Sequence, residues 1–230
     1  MGYDKLGTRM KEFYEYRTKY MLPRRTFTII RVDGKAFHSY TRGLQKPFDD
    51  QLMFDMNETA RFLCSNIQGA KFAFVESDEI SVLMTDFEKL TTDAWFDGNV
   101  QKIVSISASL ATGYFNFLRP KKLAFFDSRV FTLPYKTEVE NYFIWRQQDA
   151  TRNSIASVAQ SLYSHKELMN KKTDEMQEII FQKGINWNDY ESKYKRGRGI
   201  IKNEKWEVID LPIFTQEREF FNKIFPEMID

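Results

Sequence analysis

Several residue types that define special protein classes are scarce in this sequence. There is a single cysteine, Cys64, which excludes an internal disulfide and a zinc site built from cysteines. The two histidines, His38 and His165, are far apart in the chain, which argues against a histidine metal site. The patterns GxxxxGK[ST] and GxGxxG are absent, so neither a P-loop nor a Rossmann nucleotide enzyme is expected.

Long apolar runs and a strong charge of one sign are absent as well. The first residues lack the apolar core of a signal peptide, and no run is long enough to span a membrane, which predicts a soluble intracellular protein. The net charge is +2, so the overall composition gives no sign of nucleic-acid binding, although basic residues cluster in "LRPKK" and "KYKRGRGIIK". A chain of 230 residues is long enough for one compact unit with a helical extension.

Hydrophobic periodicity predicts four strands and two long helices in the first part of the chain. In order, these are a strand at 26–33, a helix from Asp49 or Asp50 to Gly69, a hairpin of 71–75 and 80–84, a helix capped by Asn99, and a strand at about 123–133. The order strand, helix, strand, strand, helix, strand is that of ferredoxin-like folds. We therefore predict an α+β protein in which residues 1–135 form a palm-like (ferredoxin-like βαββαβ) antiparallel sheet with flanking helices.

The second segment, residues 136–230, is predicted to be a mostly helical extension packed on this core. The run "TEVE" at 137–140 has the pattern of a capping box that opens a short helix, and another helical stripe follows the polar run "WRQQDATRNS". Residues 199–210 have the pattern of a late hairpin. Near the other end of the chain, apolar residues at helical spacing predict a helix over 5–22, stopped by Pro23.

Acidic residues interrupt two of the predicted strands at their tips. Asp33 closes the first strand and is followed by Gly34, while Asp78 and Glu79 lie in the turn of the hairpin. If the tips meet, their carboxylates could hold divalent metal and the protein could handle phosphates. Gly34 fits this hypothesis because its carbonyl can approach a ligand closely. The alternative is that both runs are ordinary turns, which favour Asp and Gly in any case.

Further polar residues are candidate phosphate ligands, although each can also be explained as surface or structure. Lys46 and Asp49 follow the first acidic tip, and Lys102 opens the second long helix, where a helix end could assist a phosphate. Arg129 lies within an otherwise apolar strand, so a buried guanidinium there would need a partner such as Asp127.

Two clusters in the second segment are candidates for RNA or nucleotide binding. The first contains Arg146, Arg152 and Asn153, and the second contains Lys195, Arg196 and Arg198. Planar hydrogen-bonding groups suit a nucleotide, and a basic loop suits an RNA backbone. The alternatives are a polar junction between two helices and a solvated basic loop.

Five motifs carry a family resemblance over nearly the whole chain. They are "RVDGKAFHSY", "KPFDD", "ESDEISVL", "FDSRVFTLP" and "WRQQDATRNS". In order and spacing they resemble the tRNA-histidine guanylyltransferase family and its bacterial and archaeal guanylyltransferase-like relatives, the reverse (3'-5') polymerases. The resemblance implies a palm-like enzyme that adds nucleotides to the 5' end of tRNA, with two Mg²⁺ ions and with ATP and GTP as substrates. It also implies a cytoplasmic homotetramer.

The resemblance assigns roles to individual residues. It implies that Asp33 and Asp78 are catalytic and, with the Gly34 carbonyl, hold the magnesium ions, while Glu79 is a less certain ligand. The residues that it places at or near nucleotide-binding and triphosphate-binding positions are Lys35, Ala36, Phe37, His38, Lys46, Asp49, Ser77, Lys102 and Arg129.

One departure from the family pattern bears on the substrate. Eukaryotic members carry His-Ile-Asn-Asn where this sequence has Thr151, Arg152, Asn153 and Ser154. The missing histidine favours the guanylyltransferase-like branch and template-dependent repair of truncated tRNA 5' ends over a dedicated role on histidine tRNA. Two alternatives stay open: a nucleotidyl cyclase or other palm-type nucleotidyltransferase, which needs no RNA, and a non-catalytic RNA-binding module.

Overall fold

The fold is built on one six-stranded antiparallel sheet. The computed structural model describes residues 5–226, and residues 1–4 and 227–230 lie outside the described part. The strands are β1 (Phe27–Gly34), β2 (Ala70–Glu76), β3 (Glu79–Met84), β4 (Phe126–Leu133), β5 (Arg198–Lys202) and β6 (Trp206–Asp210). Their order across the sheet is β4-β1-β3-β2-β5-β6. The predicted α+β class with a palm-like antiparallel sheet is confirmed, since β1 to β4 alternate with helices in the βαββαβ order.

Helices cover both faces of this sheet. The α-helices of the described residues are α1 (Lys5–Phe13), α2 (Phe37–Tyr40), α3 (Asp50–Asn66), α4 (Val100–Leu118), α5 (Lys136–Leu162), α6 (His165–Leu168), α7 (Thr173–Gln182) and α8 (Ser192–Lys195). As predicted, Asp49 and Asn99 cap α3 and α4, because their side chains accept from Leu52 N at 2.7 Å and Lys102 N at 3.1 Å. None of the helices in residues 5–226 is long and apolar enough to cross a membrane.

Strand alternation divides the apolar residues between two cores. Ile30 and Val32 of β1 face the core formed with α3 and α4, which includes the buried Cys64. Phe27 and Ile29 face the other core, which α5 and the C-terminal segment complete. Both sets are almost fully buried, so β1 is covered on both sides, as expected for a central strand with apolar residues on both faces.

The second segment also contributes to the sheet. The predicted hairpin at 199–210 is present as β5 and β6, and β5 pairs with β2 in a register that sets Gly199 opposite Phe74. The phenylalanines of the final segment pack in the core that Phe27 and Ile29 face. Phe221 is fully buried there, and Phe220 is 8% exposed. Residues 136–226 are therefore mostly helical but also extend the sheet by two strands.

The predicted helix over 5–22 is wrong beyond Phe13. Residues Glu15–Thr18 form a short 3-10 helix, and the chain then runs extended, with Tyr20 O accepting from Val100 N and Leu22 N donating to Gly98 O. These tertiary hydrogen bonds compete with continuation of the helix. No residue of α1 is buried. The helical spacing of its apolar side chains therefore does not indicate packing against the rest of residues 5–226.

The predicted helix boundary inside residues 137–154 is also wrong. α5 is one helix of 27 residues that begins at Lys136, so Thr137 lies in its first turn and not at a capping-box position. The polar run passes through the middle of the helix because its side chains find buried partners. Gln147, for example, donates to Pro212 O at 2.8 Å and accepts from Phe214 N at 2.9 Å.

A tight turn connects β1 to α2. Ala36 adopts a left-handed conformation, with φ of 54°, and Phe37 folds back so that its ring covers Gly34. A Cβ atom on Gly34 would lie 2.8 Å from Phe37 Cγ and still closer to two other ring carbons. Glycine is required at position 34 for this close packing and not for its backbone angles.

Alanine substitutions at two glycines should therefore have opposite effects. We expect Gly34→Ala to destabilise the protein by about 1–3 kcal/mol, because the Phe37 ring must move. Gly113, in the middle of α4, has nothing within 4 Å of the position that an added methyl group would occupy, so Gly113→Ala should stabilise by about 0.5–1 kcal/mol. Urea unfolding of both variants checks this, and equal effects would contradict the packing argument.

Candidate active site

The two acidic tips predicted from the sequence meet at one end of the sheet. Asp33 pairs with Glu79 across β1 and β3, and Gly34 N donates to Asp78 O at 3.1 Å. Ser77 and Asp78 form a two-residue turn between β2 and β3, with Ser77 in the left-handed region at φ of 45°. Asp33, Gly34 and Asp78 are therefore neighbours, as expected from the antiparallel arrangement.

Asp78 is in an environment that disfavours its charge. Burial, and to a smaller extent the neighbouring Asp33 carboxylate, raise the pKa of Asp78 to about 6. The Asp33 side chain is 36% exposed, and Arg129 Nη2 lies 4.0 Å from Asp33 Oδ2. Two carboxylates thus converge with little compensating positive charge.

The donor set fits magnesium. Asp33, Asp78 and the Gly34 carbonyl offer only hard oxygen ligands. Within residues 5–226 there is no group of three or more His, Cys, Asp or Glu that could enclose an ion by itself. Mg²⁺ keeps several waters and takes substrate phosphates as ligands, so two carboxylates and a carbonyl are sufficient.

A buried arginine lies behind the turn that carries Asp78. Arg146 of α5 is 4% exposed, and its Nη2 donates to Glu76 Oε1 at 2.5 Å and to Glu79 Oε2 at 3.0 Å. Arg146 Nε lies 2.8 Å from Glu79 Oε1, and Nη2 also donates to Asp149 Oδ2 at 2.9 Å. We call Arg146, Glu76, Glu79 and Asp149 the Arg146 cluster. Glu76 and Glu79 are therefore ion-paired core residues and not side chains of a solvated turn.

Burial dominates the titration of these glutamates. It raises the pKa of both Glu76 and Glu79, and the Arg146 charge opposes that rise. Since both oxygens of Glu79 lie against Arg146, this residue acts as an anchor of the turn.

A cleft of about 240 Å³ opens beside the turn. Lys46, Asp49, Ser77 and Asn153, all predicted ligands, line it. Asp49 also orders the loop, because its Oδ2 accepts from Gln45 N at 3.2 Å while its Oδ1 caps α3. The cleft has room for part of a nucleotide next to the acidic pair.

Sequence reasoning missed part of the lining of this cleft. Ser157 and Gln160 follow Asn153 on the same face of α5, at spacings of four and seven residues. That polar periodicity was visible in the sequence, but it becomes a signal only when α5 is one continuous helix.

The other predicted ligands near β1 differ in what they can offer. Phe37 is buried, so only its backbone is available, whereas Lys35 and His38 are exposed. Arg129 is exposed and not buried as expected, and its Nη2 donates to Asp127 Oδ1 at 3.1 Å. It nevertheless lies on the same face as Asp33, since Asp127 pairs with Asp33 across β1 and β4.

Lys102 does not lie near the acidic pair. α4 starts beside Tyr20 and Leu22, which precede β1, and Asp33 lies at the opposite end of that strand. The strand alone separates the two ends by roughly 20 Å, at about 3.3 Å per residue. Within this chain, the structure contradicts a role for Lys102 at the site.

Three of the six candidate RNA-binding residues are buried. Arg146 belongs to the cluster described above, Lys195 Nζ donates to Asn188 O at 2.6 Å, and Arg198 Nε donates to Asn57 Oδ1 at 3.0 Å. Their exposure of 4–7% contradicts a direct contact with RNA. The other three, Arg152, Asn153 and Arg196, are at least partly exposed and remain candidates.

Loss of Arg146 should destabilise the protein strongly. We expect Arg146→Met to cost about 3–5 kcal/mol in the free energy of unfolding, because it leaves Glu76, Glu79 and Asp149 without their shared cation. Arg152→Gln, which removes only the half-exposed partner of Asp149, is the matched control and should cost less than about 1 kcal/mol. Urea unfolding measures both. Adding Glu76→Gln and Glu79→Gln to Arg146→Met should restore part of the loss, and no recovery would contradict this assignment.

Stability should depend on pH through Asp78. Because its pKa of about 6 in the folded protein lies above the ordinary value of 3.8, ionisation of Asp78 opposes folding. The stabilisation by the protonated carboxyl is complete below about pH 4 and is lost as the pH rises through about 6. In metal-free buffer, Asp78→Asn should therefore exceed the wild type by up to about 3 kcal/mol at pH 7.5.

The same comparison at lower pH tests the sign of that effect. The advantage of Asp78→Asn should shrink towards zero as the pH approaches 4, as measured by denaturant unfolding at several pH values. An advantage that does not change with pH would assign the effect to packing instead of charge.

Comparisons with known proteins identify the family of this chain. The family model described as Thg1, tRNAHis guanylyltransferase, matches residues 7–134. A tRNA(His) guanylyltransferase of Eremothecium gossypii is 28% identical over 92% of this chain and 98% of that protein. The corresponding protein of Schizosaccharomyces pombe is 29% identical over 95% of this chain and 90% of its own length.

Solved structures show the same likeness over the whole chain. A bacterial tRNA(His) guanylyltransferase (Thg1)-like protein in complex with ATP is 46% identical, with a TM-score of 0.91, and covers 96% of this chain and 100% of that one. A bacterial Thg1-like protein in complex with GTP is 43% identical over the same shares, with a TM-score of 0.85. On the sequence match and these structural likenesses, the chain belongs to the tRNAHis guanylyltransferase (Thg1) family of nucleotidyltransferases.

Proposed function

We propose that the protein repairs truncated tRNA by template-dependent 3'-5' addition of nucleotides to the 5' end. The observation that carries the proposal is the convergence of Asp33 and Asp78 beside a cleft lined by Lys46 and Ser77. The ATP and GTP complexes of similar bacterial proteins support a nucleotide in that cleft. We assign catalysis to the core of residues 1–135 and treat 136–230 as its extension.

The residues of the site have separable tasks in this reaction. Asp33, Asp78 and the Gly34 carbonyl would hold two magnesium ions, which when bound would activate the attacking 3'-hydroxyl and stabilise the leaving phosphate oxygens. Lys46 brings a positive charge to the cleft for triphosphate, and Arg129 brings one to the face that carries Asp33. A 5'-monophosphate end would first be activated with ATP or GTP.

Position 151 favours repair over a dedicated role on histidine tRNA. Thr151 stands where eukaryotic members have histidine, and its hydroxyl donates to Gln147 O within α5 at 3.0 Å. The side chain is thus engaged with its own helix and offers no imidazole for substrate recognition.

We also propose that the enzyme is a cytoplasmic homotetramer. The α1 side chains Leu6, Met10 and Phe13 are 46–64% exposed although they recur at helical spacing. An apolar helix face of this kind favours burial against another copy of the chain.

Two other functions need to be separated from this one. A nucleotidyl cyclase would convert nucleoside triphosphate alone into a cyclic product, so incubation without RNA tests it. A non-catalytic RNA-binding module would bind tRNA with an affinity indifferent to magnesium and to Asp78.

Nucleotide addition should depend on both aspartates. With a 5'-triphosphorylated tRNA that lacks its first nucleotide, magnesium and the complementary nucleotide, the wild type should extend the 5' end by one residue. Asp33→Ala and Asp78→Ala should lower the rate by at least about 100-fold, since several kcal/mol of charge stabilisation are lost.

The matched control is Asp93→Ala, which removes an exposed carboxylate outside the site and should leave the rate unchanged. Product length at single-nucleotide resolution is the readout. An Asp33→Ala variant that folds and retains activity would refute the assignment.

A further inference from the structure

An exposed aromatic ring, that of Phe125, lies next to the face that carries Asp33. The Phe125 carbonyl accepts from Lys35 N at 2.8 Å, immediately before β4 begins. Asp127 pairs with Asp33, and residues two apart in extended chain share a face, so Phe125 lies on the face of Asp33. Its neighbour Phe126 fills the core, whereas Phe125 is 57% exposed.

A basic cleft of about 430 Å³ is lined in part by the "RPKK" segment, which precedes Phe125 in the chain. Its charged lining consists of Arg42, Asp55, Arg119, Lys121 and Lys122. Four cations thus share the cleft with one carboxylate. Leu44 lines both this cleft and the one beside Ser77, so the two are adjacent.

Part of this positive charge is already committed to the fold. Arg119 Nη1 donates to Asp55 Oδ2 at 2.7 Å, and Lys122 Nζ donates to Tyr40 O at 2.6 Å. Arg42 and Lys121 are exposed, and neither has an ion-pair partner in the described part of the chain. These two cations are therefore available to an anionic ligand.

We propose that Phe125, Lys121 and Arg42 form a docking strip for the 5'-terminal segment of the RNA substrate. The Phe125 ring stacks on a base next to the reacting end, and Arg42 and Lys121 bind phosphates further along the strand. The proposal rests on the proposed function and specifies where its RNA lies.

Charge and dimensions favour RNA over a protein partner. A polyanion with flat apolar bases complements a strip that offers free cations at one end and an exposed ring at the other. The four steps along the chain from Lys121 to Phe125 span at most about 14 Å. That is about four steps of a stacked strand at roughly 3.4 Å each.

RNA binding tests the ring. The probe is a 5'-triphosphorylated tRNA lacking its first nucleotide, with magnesium and without free nucleotides, and binding is measured by fluorescence anisotropy. Phe125→Ala should weaken binding by about 5- to 150-fold, and Phe125→Trp should restore it. Phe117→Ala removes another exposed phenylalanine, on α4, and should leave binding unchanged. The KM for the incoming nucleotide should not change in any of the three.

Salt dependence tests the cations. In Arg42→Gln with Lys121→Gln, the slope of log affinity against log salt should become shallower by about 1.4 to 1.8. Lys205→Gln, in the turn between β5 and β6 at the opposite edge of the sheet, should keep the wild-type slope.

The outcomes separate this inference from the proposed function. Wild-type extension of the RNA, combined with Phe125→Ala and Arg42→Gln/Lys121→Gln variants that bind RNA like the controls, would overturn the docking strip alone. The docking strip would also be overturned if these variants bound RNA like the wild type but formed a smaller assembly than the wild type in sedimentation. That result would assign the strip to contacts between copies of the chain. Binding that depends on Phe125 without any extension would support the strip and refute the proposed function.

Discussion

The position of Asp78 depends on one buried cation. Arg146 contacts Glu76 and Glu79, the residues immediately before and after the turn that carries Ser77 and Asp78. A buried arginine without its carboxylates, or the carboxylates without the arginine, would be costly, so each partner requires the others. Because Arg146 comes from the middle of α5, the docking of that helix on the sheet also sets the geometry of the turn.

The same region concentrates negative charge in a partly buried place. Four carboxylates, those of Asp33, Glu76, Asp78 and Glu79, belong to the ends of β1, β2 and β3 and the turn between the last two. Arg146 compensates two of them, and Arg31 adds a weaker contact, with its Nε 3.8 Å from Glu79 Oε2. The negative charge that these two cations leave uncompensated is that of Asp33 and Asp78. The protein therefore compensates the charges that anchor the turn and leaves the Asp33 and Asp78 pair with little compensating positive charge of its own.

Local patterns predicted most of the fold, and contacts between distant residues account for what they missed. Strand alternation in β1 and the caps at Asp49 and Asn99 depend on neighbours in sequence, and these predictions are confirmed. The acidic tips meet because β1 pairs with β3, as the predicted strand order implies. The junction predicted in α5 is wrong because Arg146 and Gln147 are satisfied by Glu76 and Pro212, which lie far away in the chain.

The errors in the site have two different origins. The direction of α4 relative to β1 places Lys102 at the wrong end of the sheet, and the antiparallel order predicted from sequence already implied that direction. The burial of Lys195 and Arg198 could not be predicted, because it depends on partners such as Asn57 in α3. A cluster of basic residues in a sequence does not reveal which of their side chains are exposed to solvent.

The pairing of β5 with β2 determines how late in synthesis the sheet around the acidic turn can form. β2 carries one side of the acidic turn, yet its second neighbour is β5, which lies far away in the sequence, with Phe74 opposite Gly199. During synthesis β5 must emerge before β2 acquires that neighbour, and α5 must emerge before Arg146 can contact the turn. Pairings between such distant residues form late and slowly. The nascent chain therefore acquires this geometry only after β5 has emerged, and a chain that ends before residue 198 would leave β2 without its second neighbour.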